Sequence, residues 1–222
     1  MAKPKYPETS DERARVYLHC MLEIKERLKL IEDTAALKAP ALFRKEICYL
    51  QLRYICELIA MALLTAQGDF KTQRAFTAEY SPPKIFAELV KLYPHFFPQP
   101  AAITSVGNEH HVQAGERTGA YSEKQLVDLW HKAGSHLHRA SYKHYLNKTF
   151  GPAPDLSEIQ IHVTGLVKLL ECHILQVQTN LAYPLLLNVI MDNGEGEIEV
   201  NFLHLNLDDG TMSIERYKAQ MM

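Results

Sequence analysis

Apolar residues recur at Val16, Cys20, Ile24, Leu28 and Ile31, with charged residues filling the positions between them. That spacing places them on one stripe and predicts an amphipathic helix running to about Glu32. Thr9 and Glu12 stand at capping-box spacing and mark its start, so residues 1–8 read as a flexible tail. A second helix is predicted from about Leu42 to Gln67, closed by Gly68. Ile47, Leu50, Tyr54, Leu58, Met61 and Thr65 mark one face, while Leu52, Ile55, Ile59, Ala62 and Leu63 fill much of the rest. A helix that is apolar nearly all round belongs at the centre of its bundle. Arg53 and Glu57, one turn apart within it, read as a partly buried ion pair.

Ser81 followed by "PPKIFAELVKLY" predicts a short helix, because proline suits the first turn. Residues 94–121 show no period and contain several prolines and glycines, the pattern of a long loop. Ser122 and Gln125 form another capping box, opening a helix through about His138, and "RASYKHYLNKTF" continues it as a bent or second short helix. Ser157 begins the last long helix, to about Asn180, with Gly165 as its weak point. The period then changes from about 3.6 to 2. "LLLNVIMD", "EIEVNFLHLNL" and "TMSIERY" are strand-like and are separated by the turn signals "NGEG" and "DDG". Within them Ile198, Val200, Phe202 and His204 alternate with Glu197, Glu199, Asn201 and Leu203, so one face should rest on helices and the other mostly meet water.

The expected architecture is therefore mainly α: a bundle of five or six helices with a C-terminal three-stranded antiparallel β-meander. It is read as a single domain over 1–222, with the bundle at 9–180, the loop at 94–121 and the meander at 183–218. A short exposed meander has unpaired edges, and pairing two of them across a two-fold to form a homodimer is one way to satisfy them.

Composition adds limits. Hydrophobic residues make up 47% of the 222 positions and charged residues 23%, so a full core can form without staples. The formal net charge of −2 creates no global field toward nucleic acid or membrane. Cys20, Cys48, Cys56 and Cys172 form no Cys-x-x-Cys pair and read as small buried hydrophobes in a reducing compartment. The N-terminus has no apolar stretch of signal-peptide length, and the most apolar run, 55–66, is shorter than a bilayer span. The expectation is a soluble, cytoplasmic protein with no membrane partner and no cofactor.

Charge is unevenly distributed. Between Leu129 and Pro154 there is no Asp or Glu, whereas Lys132, Arg139, Lys143, Lys148 and four of the eleven histidines fall there, interleaved with Trp130, Tyr142 and Tyr145. The meander is the reverse, with Asp192, Glu195, Glu197, Glu199, Asp208, Asp209 and Glu215 against Arg216 and Lys218. Basic and aromatic residues together suit phosphates and bases. Four fixed cations make a small patch on a chain that is not basic, so nucleic acid is not the favoured partner. A contact between the basic segment and the acidic sheet is the competing explanation.

The histidines invite sharper readings. On an ideal helix Asp128, His131, Ser135 and His138 fall within about 80° of one another, beside an apolar stripe of Leu126, Trp130, Ala133 and Leu137. An Asp, a His and a Ser on one helix do not make a catalytic triad, whose members come from separate elements. As a metal site, Asp128 and His131 at i, i+3 could join His19 and Glu23 at i, i+4 on the first helix. Glu109-His110-His111 in the 94–121 loop could add ligands. No His-Glu-x-x-His occurs. Arg139 and His144 have the Arg-x4-His spacing used by HEPN-type helical ribonucleases, in which Arg would clamp phosphate and His would carry the proton. Over the three permitted offsets chance alone predicts about one match, and Arg13 with His19, five residues between them, supplies another, so the spacing defines no membership.

The preferred reading is a non-catalytic binding or interaction module. Its working surface would comprise Trp130, Lys132, His136, His138, Arg139, Tyr142, Lys143, His144 and Lys148. The alternative is a hydrolase, using Arg139 and His144 or a metal held in the bundle.

Overall fold

The structure, a computed structural model, describes residues 9–68, 81–106, 109–115, 118–137, 155–178, 185–206 and 211–220. Helix α1 (Ser10–Ala36) begins where the sequence places it: the Thr9 hydroxyl accepts from the Glu12 amide, and the Glu12 carboxylate accepts from the Thr9 amide. Helix α2 (Ala41–Gln67) ends at Gly68, whose φ of 69° is the left-handed cap that favours glycine. A short connection makes α1 and α2 antiparallel neighbours. Helices α3 (Pro82–Leu92), α4 (Glu123–Leu137) and α5 (Ser157–Leu170) follow.

The expectation of a mainly α bundle with a three-stranded meander is overturned. Five helices among the described residues accompany a six-stranded antiparallel sheet, and the fold is mixed α and β. Its strands are β1 (Gln99–Val106), β2 (Glu109–Ala114), β3 (Cys172–Gln178), β4 (Leu185–Ile190), β5 (Glu197–Asn206) and β6 (Thr211–Gln220), in the order β2-β1-β3-β4-β5-β6. The predicted meander is thus only the β4-β5-β6 half.

Two segments account for the difference. The predicted loop 94–121 contains the β1–β2 hairpin, in which Val106 pairs with Glu109 across the dipeptide Gly-Asn. That dipeptide is a two-residue hairpin signal, and Ile103, Thr104 and Val106 are β-branched. The prolines that suggested a loop stand at the strand's entrance, where proline is tolerated. His110 and His111 accordingly pair with Ser105 and Thr104 in a sheet instead of lying in a loop. The second segment is the predicted last helix, which stops at Leu170 instead of Asn180. "CHILQVQ" then alternates, with His173, Leu175 and Val177 buried and Cys172, Ile174 and Gln176 half-buried, the period of a strand. The helix predicted over 139–150 and the turn "DDG" lie outside the described residues.

The core lies between the sheet and the helices. Ile198, Val200 and Phe202 of β5, which packs on α1, and Leu187 and Val189 of β4 are fully buried in one core cluster with residues of α1 and α2, each worth about 1.5–3 kcal/mol of transfer free energy. α2 is long and apolar enough to cross a membrane, but most of its apolar length is buried inside the fold, as in any core helix. It is flanked by α1 and α4 and touched by α3, α5 and β3. The β4–β5 connection is shaped by Asp192, whose carboxylate accepts from the amides of Gly194 (2.9 Å) and Gly196 (3.3 Å). Both glycines adopt positive φ, 87° and 81°, which a side chain would resist.

Candidate functional site

The predicted surface is represented among the described residues by Trp130, Lys132 and His136, all on α4. His138, Arg139, Tyr142, Lys143, His144 and Lys148 lie outside them. Leu126 and Ala133 turn inward, as their stripe requires, while Asp128, His131 and Ser135 are exposed. The three described members do not form an open cationic surface. Lys132 is paired with Glu158 of α5, which also accepts from the Tyr49 hydroxyl at 2.7 Å. The His136 ring stacks on Tyr49, centroids 3.9 Å apart. Trp130 donates its indole N–H to Glu57 at 2.9 Å, and Arg53 lies over the indole face while pairing with Glu57 at 3.1 Å.

The expected separation of charge is corrected accordingly. Glu158 comes from elsewhere in the chain and pairs with Lys132, which is the only one of the segment's four fixed cations among the described residues. The acids of the sheet meet their own cations: Glu197 and Glu199 lie 3.1 and 3.8 Å from Lys218, and Asp192 lies 3.9 Å from Lys25. Folding brings together charges that the linear sequence keeps apart.

The cluster between α2, α4 and α5 is self-satisfied apart from one atom. Lys132, and then Tyr49, hold the Glu158 carboxyl down to about 2. The Tyr121 hydroxyl bonds His162 Nδ1, and burial pushes that phenol up to about 12. His162 Nε2 is buried without a hydrogen-bond partner among the described residues. Burial, and then the charge of Lys132, lower the His162 pKa.

The proposed metal ligands are not gathered. His19 is exposed on α1, and Glu23 is engaged by Arg27 one turn on. Among the described residues no group of three or more His, Cys, Asp or Glu could hold a metal ion.

A separate opening lies over the sheet. A concavity of about 810 Å³ lies over the sheet face turned away from α1 and α2. Strand register arranges its floor in three ranks. Leu203 and Ile214 are cross-strand neighbours on β5 and β6 and form an apolar rank. Asn188, Asn201 and Arg216 form the next, and Ile190, Glu199 and Lys218 the third. Alternation along β5 therefore projects Glu199, Asn201 and Leu203 away from the helices, yet they are only 7%, 4% and 4% exposed.

The polar ranks form a connected network. Asn188 donates to the His173 carbonyl at 3.3 Å, and Asn201 donates to Glu199 Oε1 at 3.0 Å and to Asn188 Oδ1 at 3.4 Å. Arg216 Nε donates to Asn201 Oδ1 at 3.3 Å and pairs with Glu199 Oε1 at 3.1 Å. Lys168 and Thr118 stand at the far wall, joined at 3.4 Å. The sequence reading placed this face in water and passed over Asn188, Asn201 and Arg216. One signal was available: Asn188 interrupts the otherwise apolar strand "LLLNVI".

No protein family, curated protein or solved structure matches the chain.

Proposed function

We propose that the protein is a non-catalytic binding module that receives a small amphipathic molecule in the concavity on the open face of the sheet. The observation that carries this reading is the ordered gradient of its floor, from Leu203 and Ile214 through Asn188, Asn201 and Arg216 to Glu199 and Lys218. Ligand sites are concave, mostly apolar and fixed by a few convergent polar groups, and about 810 Å³ is the size of a site for a small molecule. Buried polar groups are costly unless bonded, and a pre-bonded network of amides and ions on a strand floor is rigid enough to orient a head group. The binding reading is preferred to a hydrolytic one because no nucleophile and base are in contact in the concavity among the described residues. It also moves the working surface from residues 129–148 to the sheet.

The test is a titration of isotope-labelled protein with the uncharged dye phenylnaphthylamine, read by NMR. The expected result is a shift of the Asn188 and Asn201 side-chain amide signals, with binding weakened by Leu203→Asp. Shifts confined to α2, α4 and α5 would place the binding surface among the helices and end this reading.

A further inference from the structure

We propose that the ligand's head group is a carboxylate and that Arg216 receives it, so that the concavity takes a medium-chain carboxylic acid with its tail along Leu203 and Ile214. The inference rests on the binding reading above and adds the chemical class.

The argument is a count of donors and acceptors within the second and third ranks. Asn188 Oδ1 accepts from Asn201, Asn201 Oδ1 accepts from Arg216, and Glu199 Oε1 accepts from Asn201 and forms an ion pair with Arg216. The acceptors facing the ladder are thus taken by donors inside it. Arg216 spends only its Nε in this way. Among the described residues neither of its terminal nitrogens has a hydrogen-bond acceptor, and the side chain is 49% exposed to the concavity. A guanidinium offers a planar fork of donors that matches a carboxylate in two parallel bonds. The surplus is therefore one of donors, and the group that completes it is an anion.

The surroundings narrow the anion. Glu199 is held by Arg216 and Lys218, so a cationic head would meet two fixed cations before it reached the carboxylate. Lys218 is engaged by three carboxylates, Glu195, Glu197 and Glu199, at 3.6, 3.1 and 3.8 Å, and is not free to supply a second contact. Asp192 and Glu195 line the same wall. A dianionic phosphate would add two negative charges beside these carboxylates, whereas a carboxylate adds one and meets the fork in two parallel hydrogen bonds. On β6, Ile214 and Met212 lie on the same side of the strand as Arg216, and both are about 40% exposed. They offer an apolar track leading away from the head group, with Leu203 beside it.

The experiment is calorimetric titration of the full chain with four probes of equal chain length: decanoate, decanol, decylamine and decyl phosphate. Decanoate should bind tightest. Arg216→Met should weaken decanoate by about ten- to hundredfold, the range for losing a charge-assisted pair, while leaving decanol unchanged. Because Arg216→Met leaves the Glu199 carboxylate short of a partner, Arg216→Met with Glu199→Gln serves as the second variant and should show the same selective loss. Decanol, decylamine or decyl phosphate binding as tightly as decanoate would overturn the assignment. Dye binding without binding of decanoate would overturn the carboxylate and leave the concavity standing. Absence of both would remove the site itself. A dimer in solution that Leu203→Asp dissociates would show this face to be covered by a second copy, which also overturns the proposal.

Discussion

The Tyr17 hydroxyl and His173 Nε2 lie 2.7 Å apart, joining α1 to β3 in the interior. Both residues are essentially inaccessible to water. His173 Nδ1 lies 2.9 Å from the Leu170 carbonyl, which can only accept, so Nδ1 carries the proton. Nε2 is then the acceptor, and Tyr17 donates to it. Tyr17→Phe removes the donor without opening a large cavity, but leaves a buried nitrogen lone pair without a partner. The expected cost is about 1–3 kcal/mol of unfolding free energy, measured by denaturant titration. A change within experimental error would show that the bond contributes nothing.

The same pair sets a pH dependence. Burial lowers the His173 pKa to about 4, against an ordinary value of 6.5, with the Leu170 bond opposing weakly. In the window between 4 and 6.5 the unfolded chain binds a proton that the folded chain refuses, so stability rises with pH there. The stabilisation is complete above 6.5 and is lost as pH falls toward 4, at up to about 1.4 kcal/mol per pH unit. His162, lowered by burial and by Lys132, adds in the same direction. Glu158, held near 2, contributes only at lower pH. His173→Gln should flatten unfolding free energy between pH 6.5 and 4.5. If the slope survives the substitution, His173 is not its source.

Much of this arrangement was legible in the sequence, and the omissions have physical causes. The Thr9 cap, the Gly68 stop, the Arg53–Glu57 pair and the strands of "LLLNVI", "EIEVNFLHLN" and "TMSIERYKAQ" depend on local signals, and they stand where those signals put them. The hairpin at 99–114 was hidden because its strands are rich in alanine and polar residues and supply little apolar alternation. β3 was hidden because seven residues can satisfy either period when an apolar helix leads directly into them. The candidate site depends on register. Nothing local to Asn188, Asn201 or Arg216 says that pairing will align them, since each comes from a different strand. Likewise, Lys132 seemed open only while Glu158 was distant in the chain.

Gly165 shows how a local signal can point to the wrong cause. A glycine inside a helix costs about 1 kcal/mol relative to alanine, so the position reads as a weakness to be repaired. In the fold the Tyr121 ring lies against it, and a Cβ there would approach two ring carbons to 2.4 Å. The Tyr121 amide also donates to the Gly165 carbonyl at 3.2 Å. Gly165→Ala should therefore destabilise by about 1–3 kcal/mol despite its better helix propensity, as overpacking does. The Tyr121–His162 bond should be disturbed with it, visible as a shift of the His162 ring signals in NMR. A stabilised variant would mean that Tyr121 moves aside freely.

The Arg53, Glu57 and Trp130 group joins α2 to α4, and Trp130 is the only tryptophan in the chain. Glu57 accepts from Trp130 and forms an ion pair with Arg53, and the Arg53 and Glu57 side chains are each only 19% exposed. Removing the carboxylate by Glu57→Ala strands a guanidinium in a poorly hydrated place and frees the indole N–H. Breaking one half of a fully buried pair costs about 3–5 kcal/mol, and the residual exposure here reduces the expectation to about 2–3 kcal/mol. Removing both charges with Arg53→Met and Glu57→Leu should recover most of that loss, because the apolar pair leaves no unpaired ion. Trp130 emission gives an independent readout, since its indole loses both the hydrogen bond and the overlying cation. The contribution of the pair then follows from a double-mutant cycle in denaturant. If Glu57→Ala and the double variant are equally unstable, the loss comes from packing between α2 and α4 and not from the stranded charge.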